Sequence, residues 1–201
     1  MYKRKEKIII IALIVAIIAV GGALGISVYR EKAVQSNPET TAAAEQTTSI
    51  SGAEVDEILK QQMMYVSGIQ YFYQATSPNL KHDAMGATVF NNSDVSAKSF
   101  VVAFCAFDAE GKPIKIVQPD EQGDGGYLRT ITYDYTKAQG SKASLEPKET
   151  CEDVLMYVKN EPQIVTVKAC VKSYISTNDI TWENPYYQTF LQIYSGRELK
   201  Q

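Results

Sequence analysis

Residues 8–29 carry no charged side chain, and four bases, Lys3, Arg4, Lys5 and Lys7, stand immediately before them. About 20 consecutive apolar residues suffice to cross the ~30 Å hydrocarbon layer of a bilayer as a helix. The basic flank stays on the cytoplasmic side, so the chain divides into a cytoplasmic tail (1–7), a transmembrane anchor (8–29) and an extracytoplasmic remainder. The same stretch also resembles a signal peptide, because Ala23-Leu24-Gly25 offers a small-x-small cleavage pattern. Apolar character nevertheless continues through Ile26, Val28 and Tyr29 with no polar region, which favours an uncleaved single-pass anchor over secretion. No cysteine lies near this junction, which excludes a lipoprotein attachment site.

About 170 residues follow, enough for one domain and a linker. Without the N-terminal four bases and Glu6, 16 basic side chains stand against 22 acidic, from 20 and 23 in the whole chain. An acidic surface argues against nucleic-acid binding, which needs a basic face to neutralise phosphates. It argues equally against broad adhesion to anionic polymers or lipid headgroups. His82 is the only histidine, which excludes a His-rich zinc site and any triad needing a second imidazole. No glycine-rich phosphate loop, His-Glu-x-x-His or Gly-x-Ser-x-Gly element occurs, so the sequence implies no cofactor or metal and no recognised catalytic machinery.

Residues 30–50 form a polar, Ser/Thr/Ala-rich stretch with no apolar period, the composition of a disordered stalk. Ser51 and Glu54 have capping-box spacing. Val55, Leu59 and Met63 recur at helical intervals, which predicts a short helix at 53–64 within a 51–64 segment. From residue 65 the pattern changes. Segments 66–73, 84–90, 99–108, 113–117, 127–135, 150–158 and 164–174 are rich in β-branched and aromatic residues and are separated by turn sequences. Seven short strands at this spacing predict an antiparallel sandwich over 65–201. Residues 180–182 add a last strand-like piece. Asn184 and Pro185 then suit the N-cap and first position of a helix at 185–195. Tyr187, Leu191 and Tyr194 share a face of that helix, and Gly196 closes it.

Thr181-Trp182-Glu183-Asn184-Pro185-Tyr186-Tyr187, followed by Tyr194-Ser195-Gly196-Arg197-Glu198-Leu199, resembles the C-terminal signature of a family of uncharacterised exported bacterial domains. Upstream likenesses are Asn91-Asn92-Ser93, Val101-Val102-Ala103-Phe104, Asp108 with Gly111, Pro113-Ile114-Lys115-Ile116 and Gly125-Gly126-Tyr127. The resemblance implies an immunoglobulin-like β-sandwich at the C-terminal end of a membrane-anchored protein. It carries no activity.

Trp182, Tyr186, Tyr187 and Tyr194 are the first binding candidates, since flat amphipathic rings stack on sugars and peptides. The competing reading makes them the clamp that holds the terminal helix to the sheet. The loop Asp120-Glu121-Gln122-Gly123-Asp124-Gly125-Gly126 offers oxygen ligands, but its spacing does not match an EF-hand, and a solvated turn is favoured. His82, in a polar loop, is read as a surface histidine rather than half of a cysteine–histidine dyad.

Cys105, Cys151 and Cys170 permit one disulfide in an oxidising compartment. A hairpin between 150–158 and 164–174 would set Cys151 opposite Cys170 and Asp153 opposite Lys168. If those strands lie in opposite sheets, Cys170 points away and Cys105 becomes its nearer rival. The expectation is a non-enzymatic binding or assembly module of the bacterial cell envelope, with a protein or glycan partner. The alternatives are a wall-modifying hydrolase with an unrecognised carboxylate site, and a secreted ligand carrier.

Overall fold

The computed structural model describes residues 50–74, 79–137, 142–159 and 163–200. The tail, apolar segment and stalk expected at 1–49 lie outside the described residues. Among the described residues, no helix is long and apolar enough to cross a membrane.

Helix α1 (Gly52–Leu59) opens on the capping box read from the sequence: the Glu54 N–H donates to Ser51 Oγ at 3.3 Å, and the Ser51 N–H donates to Glu54 Oε2 at 2.7 Å. A reciprocal cap of this kind contributes about 1 kcal/mol. The helix is shorter than predicted. Val55 and Leu59 are buried, whereas Met63 falls in the following turn and is exposed.

Eight strands follow: β1 (Met64–Phe72), β2 (Asp83–Asn91), β3 (Ala97–Phe107), β4 (Pro113–Ile114), β5 (Arg129–Asp134), β6 (Thr150–Val158), β7 (Thr166–Ser176) and β8 (Thr181–Glu183). One antiparallel sheet has the order β1-β2-β6. The other runs β3-β7-β8, with β4 and β5 sharing the far edge of β3. The fold is therefore mainly β and sandwich-like, with a short C-terminal helix, α2 (Tyr187–Tyr194).

Alternation along β3 accounts for the layering. Phe100, Val102, Phe104 and Ala106 point between the sheets, into a core with Met64, Met85, Val89, Val154, Met156, Val171 and Tyr174. Ala103, Cys105 and Phe107 point the other way, as strand periodicity requires, and meet Val55, Leu59, Cys170, Phe190 and Tyr194. Both helices thus cover the outer face of the second sheet, and the domain has three layers.

The register expected for a β6–β7 hairpin is not formed. β6 pairs with β2, and β7 pairs with β3, so the two strands belong to different sheets. Cys151 belongs to the inter-sheet core and Cys170 to the helix-side cluster, and all three cysteines are free. Lys168 lies opposite Cys105 and forms an ion pair with Asp56 of α1 at 2.6 Å, and β6, the strand of Asp153, is not its neighbour. The hairpin register failed because its apolar alternation serves two facing sheets as well as one.

Candidate functional site: a slot between two strand edges

The four aromatic candidates do not converge. Trp182 stacks on Tyr174 with ring centroids 5.3 Å apart and packs against the inter-sheet core. Tyr186, Tyr187 and Tyr194 belong to the helix layer on the opposite face of the same sheet. Tyr194 is buried, sits edge-on to Phe107, and donates to the Gly52 carbonyl at 2.8 Å and to Asp56 Oδ1 at 2.7 Å. Its hydroxyl is held neutral well above the usual phenol range by burial and by the adjacent Asp56 carboxylate. Lys172 Nζ lies 5.5 Å from the centre of the Tyr187 ring. The aromatic run clamps two layers together and makes no common platform.

Asn184 joins those layers. Its side chain donates to the Val171 carbonyl at 2.7 Å and accepts from the Tyr186 N–H at 2.9 Å, while its own N–H donates to the Lys172 carbonyl at 2.8 Å. This turn consumes Pro185 and Tyr186, so α2 starts two residues later than predicted. Gly196 closes it in the left-handed region (φ 68°), as expected.

The acidic loop is similarly occupied. Glu121 pairs with Arg129, accepts from the Gln118 N–H at 3.2 Å, and offers its carbonyl to Lys159 at 2.9 Å. Gly125 has φ 67°, and a Cβ there would stand 2.3 Å from the Ile116 carbonyl oxygen, so glycine is required. Asp120 and Asp124 are exposed. Among the described residues, no three His, Cys, Asp or Glu side chains gather as a metal site. His82 directly precedes β2, whereas Cys151 faces Val89, roughly 20 Å along the strand at ~3.4 Å per residue.

Cys105 and Cys170 lie on adjacent strands beneath the helices. Burial pushes the Cys105 thiol up to about 12 and raises that of Cys170 further, each the reverse of an activated nucleophile.

The feature that sequence reading missed lies along the side of the sandwich. Among the described strands, β1 is hydrogen-bonded to β2 alone. On β7, β8 pairs only with Ser173, Tyr174 and Ile175, and Asn184 takes the carbonyls of Val171 and Lys172. Among the described strands, residues 166–170 are paired with β3 alone. Between these two edges is a cavity of about 260 Å³, walled by residues 65–69 and 166–171 and ended by Asp56 and Leu59 of α1 and by Lys60 just beyond it. Tyr174 Oη contacts Met63 Sδ at 3.7 Å at one end. Tyr73 Oη donates to the Ile164 carbonyl at 2.7 Å at the other. β1 thus runs antiparallel across β7, tied at both ends and open in the middle.

The one carboxylate in the slot, Asp56, gives one oxygen to Tyr194 and the other to Lys168, whose Nζ also lies 5.3 Å from the centre of the Tyr194 ring. Two features that could have pointed to the slot went unused. Met64–Phe72 holds no charge and no proline, and β8 is too short to cover β7.

The architecture is that of a β-sandwich-like domain with helices on one outer face. The chain belongs to the DUF5780 family of unknown function, whose model matches residues 84–197. A crystal structure of a hypothetical protein from Peptoclostridium difficile 630 shares the fold, at 15% identity and a TM-score of 0.54, over 70% of this chain and 95% of that one. No curated protein matches the chain.

Proposed function

We propose that this protein is a membrane-anchored, extracytoplasmic binding or assembly module of the bacterial envelope, with no catalytic activity of its own. The basic-then-apolar N-terminus supports the anchored topology. The strand order, three strands facing a sheet that places β6 and β7 in opposite layers, supports an immunoglobulin-like reading of the domain.

One observation carries the functional reading. The cavity between β1 and β7 holds a single carboxylate, and that carboxylate is already bound on both oxygens. General acid–base chemistry needs a carboxyl group free to reach a substrate proton. Strand edges, in contrast, are ready-made surfaces for recognition.

In-cell photo-crosslinking from Ile69 and from Tyr187, with mass spectrometry of the adducts, tests the proposal. A discrete adduct from Ile69 and none from Tyr187 is expected. Release of soluble fragments from purified cell wall by the full chain would instead establish a hydrolase and overturn it.

A further inference from the structure

We propose that the outer face of the β1-β2-β6 sheet docks a second copy of this chain held in the same membrane. The inference rests on the anchored, binding-module reading and names its partner.

The first observation is which face is left without a cover. Both helices pack on the outer face of the other sheet. Among the described residues, no helix therefore lies over β1, β2 and β6. An antiparallel sheet with one face in water carries polar side chains at alternate positions there. This one departs from that pattern. Tyr65 and Phe90, opposite each other on β1 and β2, turn away from the inter-sheet core with ring centroids 5.4 Å apart. Phe72 and Leu155 reach over Gly86 from the two flanking strands: a Cβ on Gly86 would stand 2.6 Å from Phe72 Cε2 and 3.3 Å from Leu155 Cδ2. Tyr157, opposite Ala84, is 45% exposed. The glycine thus lets side chains from both edges close into a flat apolar layer.

The second is charge. Every outward residue of β1 and β2 is uncharged, and the acids of β6, Glu152 and Asp153, are confined to its bulge. The region beyond the apolar N-terminus is net acidic, so two copies repel over most of their surface. At this face they meet where that repulsion is least.

The third is size. Three strands of nine residues, at ~3.4 Å per residue and ~4.8 Å between strands, cover roughly 400 Å². A stable complex between free proteins buries about 800 Å² per partner, so a partner arriving from solution would be held weakly. Two copies anchored in one membrane meet at an effective concentration of about millimolar, where a half-sized interface suffices. Identical stalks also present identical faces, and each copy offers the other the same residues.

The test uses the full chain on whole cells, with a single added cysteine and a bismaleimide crosslinker. The three native cysteines are buried, so the wild type supplies the background. Gln70→Cys lies exposed on the face beside Gly86 and is expected to give a strong dimer band. Glu183→Cys, exposed on β8 of the other sheet, should give none above background. Mass spectrometry should find this chain on both sides of the link. Adding Tyr157→Lys to Gln70→Cys should cut the band roughly tenfold at an unchanged melting temperature, because it brings two like charges together; Tyr157→Phe should retain the band. Equal bands from Gln70→Cys and Glu183→Cys, or a band from neither, would overturn pairing through this face and leave the binding module to the photo-crosslinking test. Linkage of Gln70→Cys to a different protein would overturn the second copy as occupant. Recovery of the chain from the medium, cleaved after Gly25, would overturn the anchored reading and this inference with it.

Discussion

Cys105 and Cys170 make the stability of this domain sensitive to alkali in a way that can be worked out in advance. Both thiols are buried in the helix-side cluster, and burial holds their protons above the ordinary thiol value of 9.0, to about 12 for Cys105 and higher for Cys170. A group whose pKa is raised on folding contributes stability that is fully present below its unfolded pKa and is lost as pH climbs toward the folded one. From pH 9 to pH 10 the unfolded chain releases each thiol proton while the native state keeps it. The loss over that unit is about 1 kcal/mol per thiol, so about 2 kcal/mol for the pair. The window must stop at pH 10, because the raised pKa values of Tyr135, Tyr187 and Tyr194 add the same sign of loss above it. Urea unfolding of the wild type and of Cys105→Ala/Cys170→Ala at pH 8, 9 and 10 provides the measurement. The double variant is expected to be less stable at pH 8, because deleting each buried sulfur leaves a small cavity, but its fall from pH 9 to pH 10 should be smaller by about 2 kcal/mol. Equal pH slopes for the two proteins would refute the reasoning, since they would mean that the thiols ionise in the native state or are bridged.

Asn184→Ala should cost about 2–4 kcal/mol in urea unfolding, because it strips a partner from the Val171 carbonyl and the Tyr186 N–H in a buried turn; Asn184→Asp should recover part of that through the retained acceptor. Gly125→Ala should cost about 2–4 kcal/mol, since it combines a left-handed φ with a clash on the Ile116 carbonyl, whereas Gly123→Ala, with nothing within 4 Å, should cost about 1 kcal/mol from backbone strain alone. Tyr194→Phe should lower stability by about 1–3 kcal/mol by leaving the Gly52 carbonyl and Asp56 short of a donor. Asp56→Ala combined with Tyr194→Phe should then be clearly non-additive, as expected of contacting residues.

Local signals in this chain were read well where the physics is local. The capping box of α1, the bounds of β6 and the glycine closure of α2 all depend on residues within a few positions of one another. The apolar pattern likewise identified strands, because each has one face toward the inter-sheet core. It could not assign partners. β6 and β7 are consecutive, and their alternation fits a hairpin and a facing pair equally well; only the pairing of β2 with β6 and β3 with β7 decides between them. The ties between Lys168 and Asp56 and between Tyr194 and Asp56 span 112 and 138 residues. Nothing in the neighbourhood of any of these residues announces the other. The slot is less legible still, because it is defined by a strand that β8 does not supply.

The motifs through which the sequence resembles its family are mostly employed in holding the scaffold. Asn91 is fully buried and satisfied by Val95, Leu145 and Ser93; Asp108 accepts from the Glu110 and Lys112 N–H groups; Gly111 leaves room for Leu199. Trp182 packs half-buried against the core and Gly196 turns the chain under Tyr127. Of these signature residues only Asn184 borders the slot, and it does so by sealing the two carbonyls where β8 ends. The turn built on Asn184 thus fixes where β8 stops covering β7.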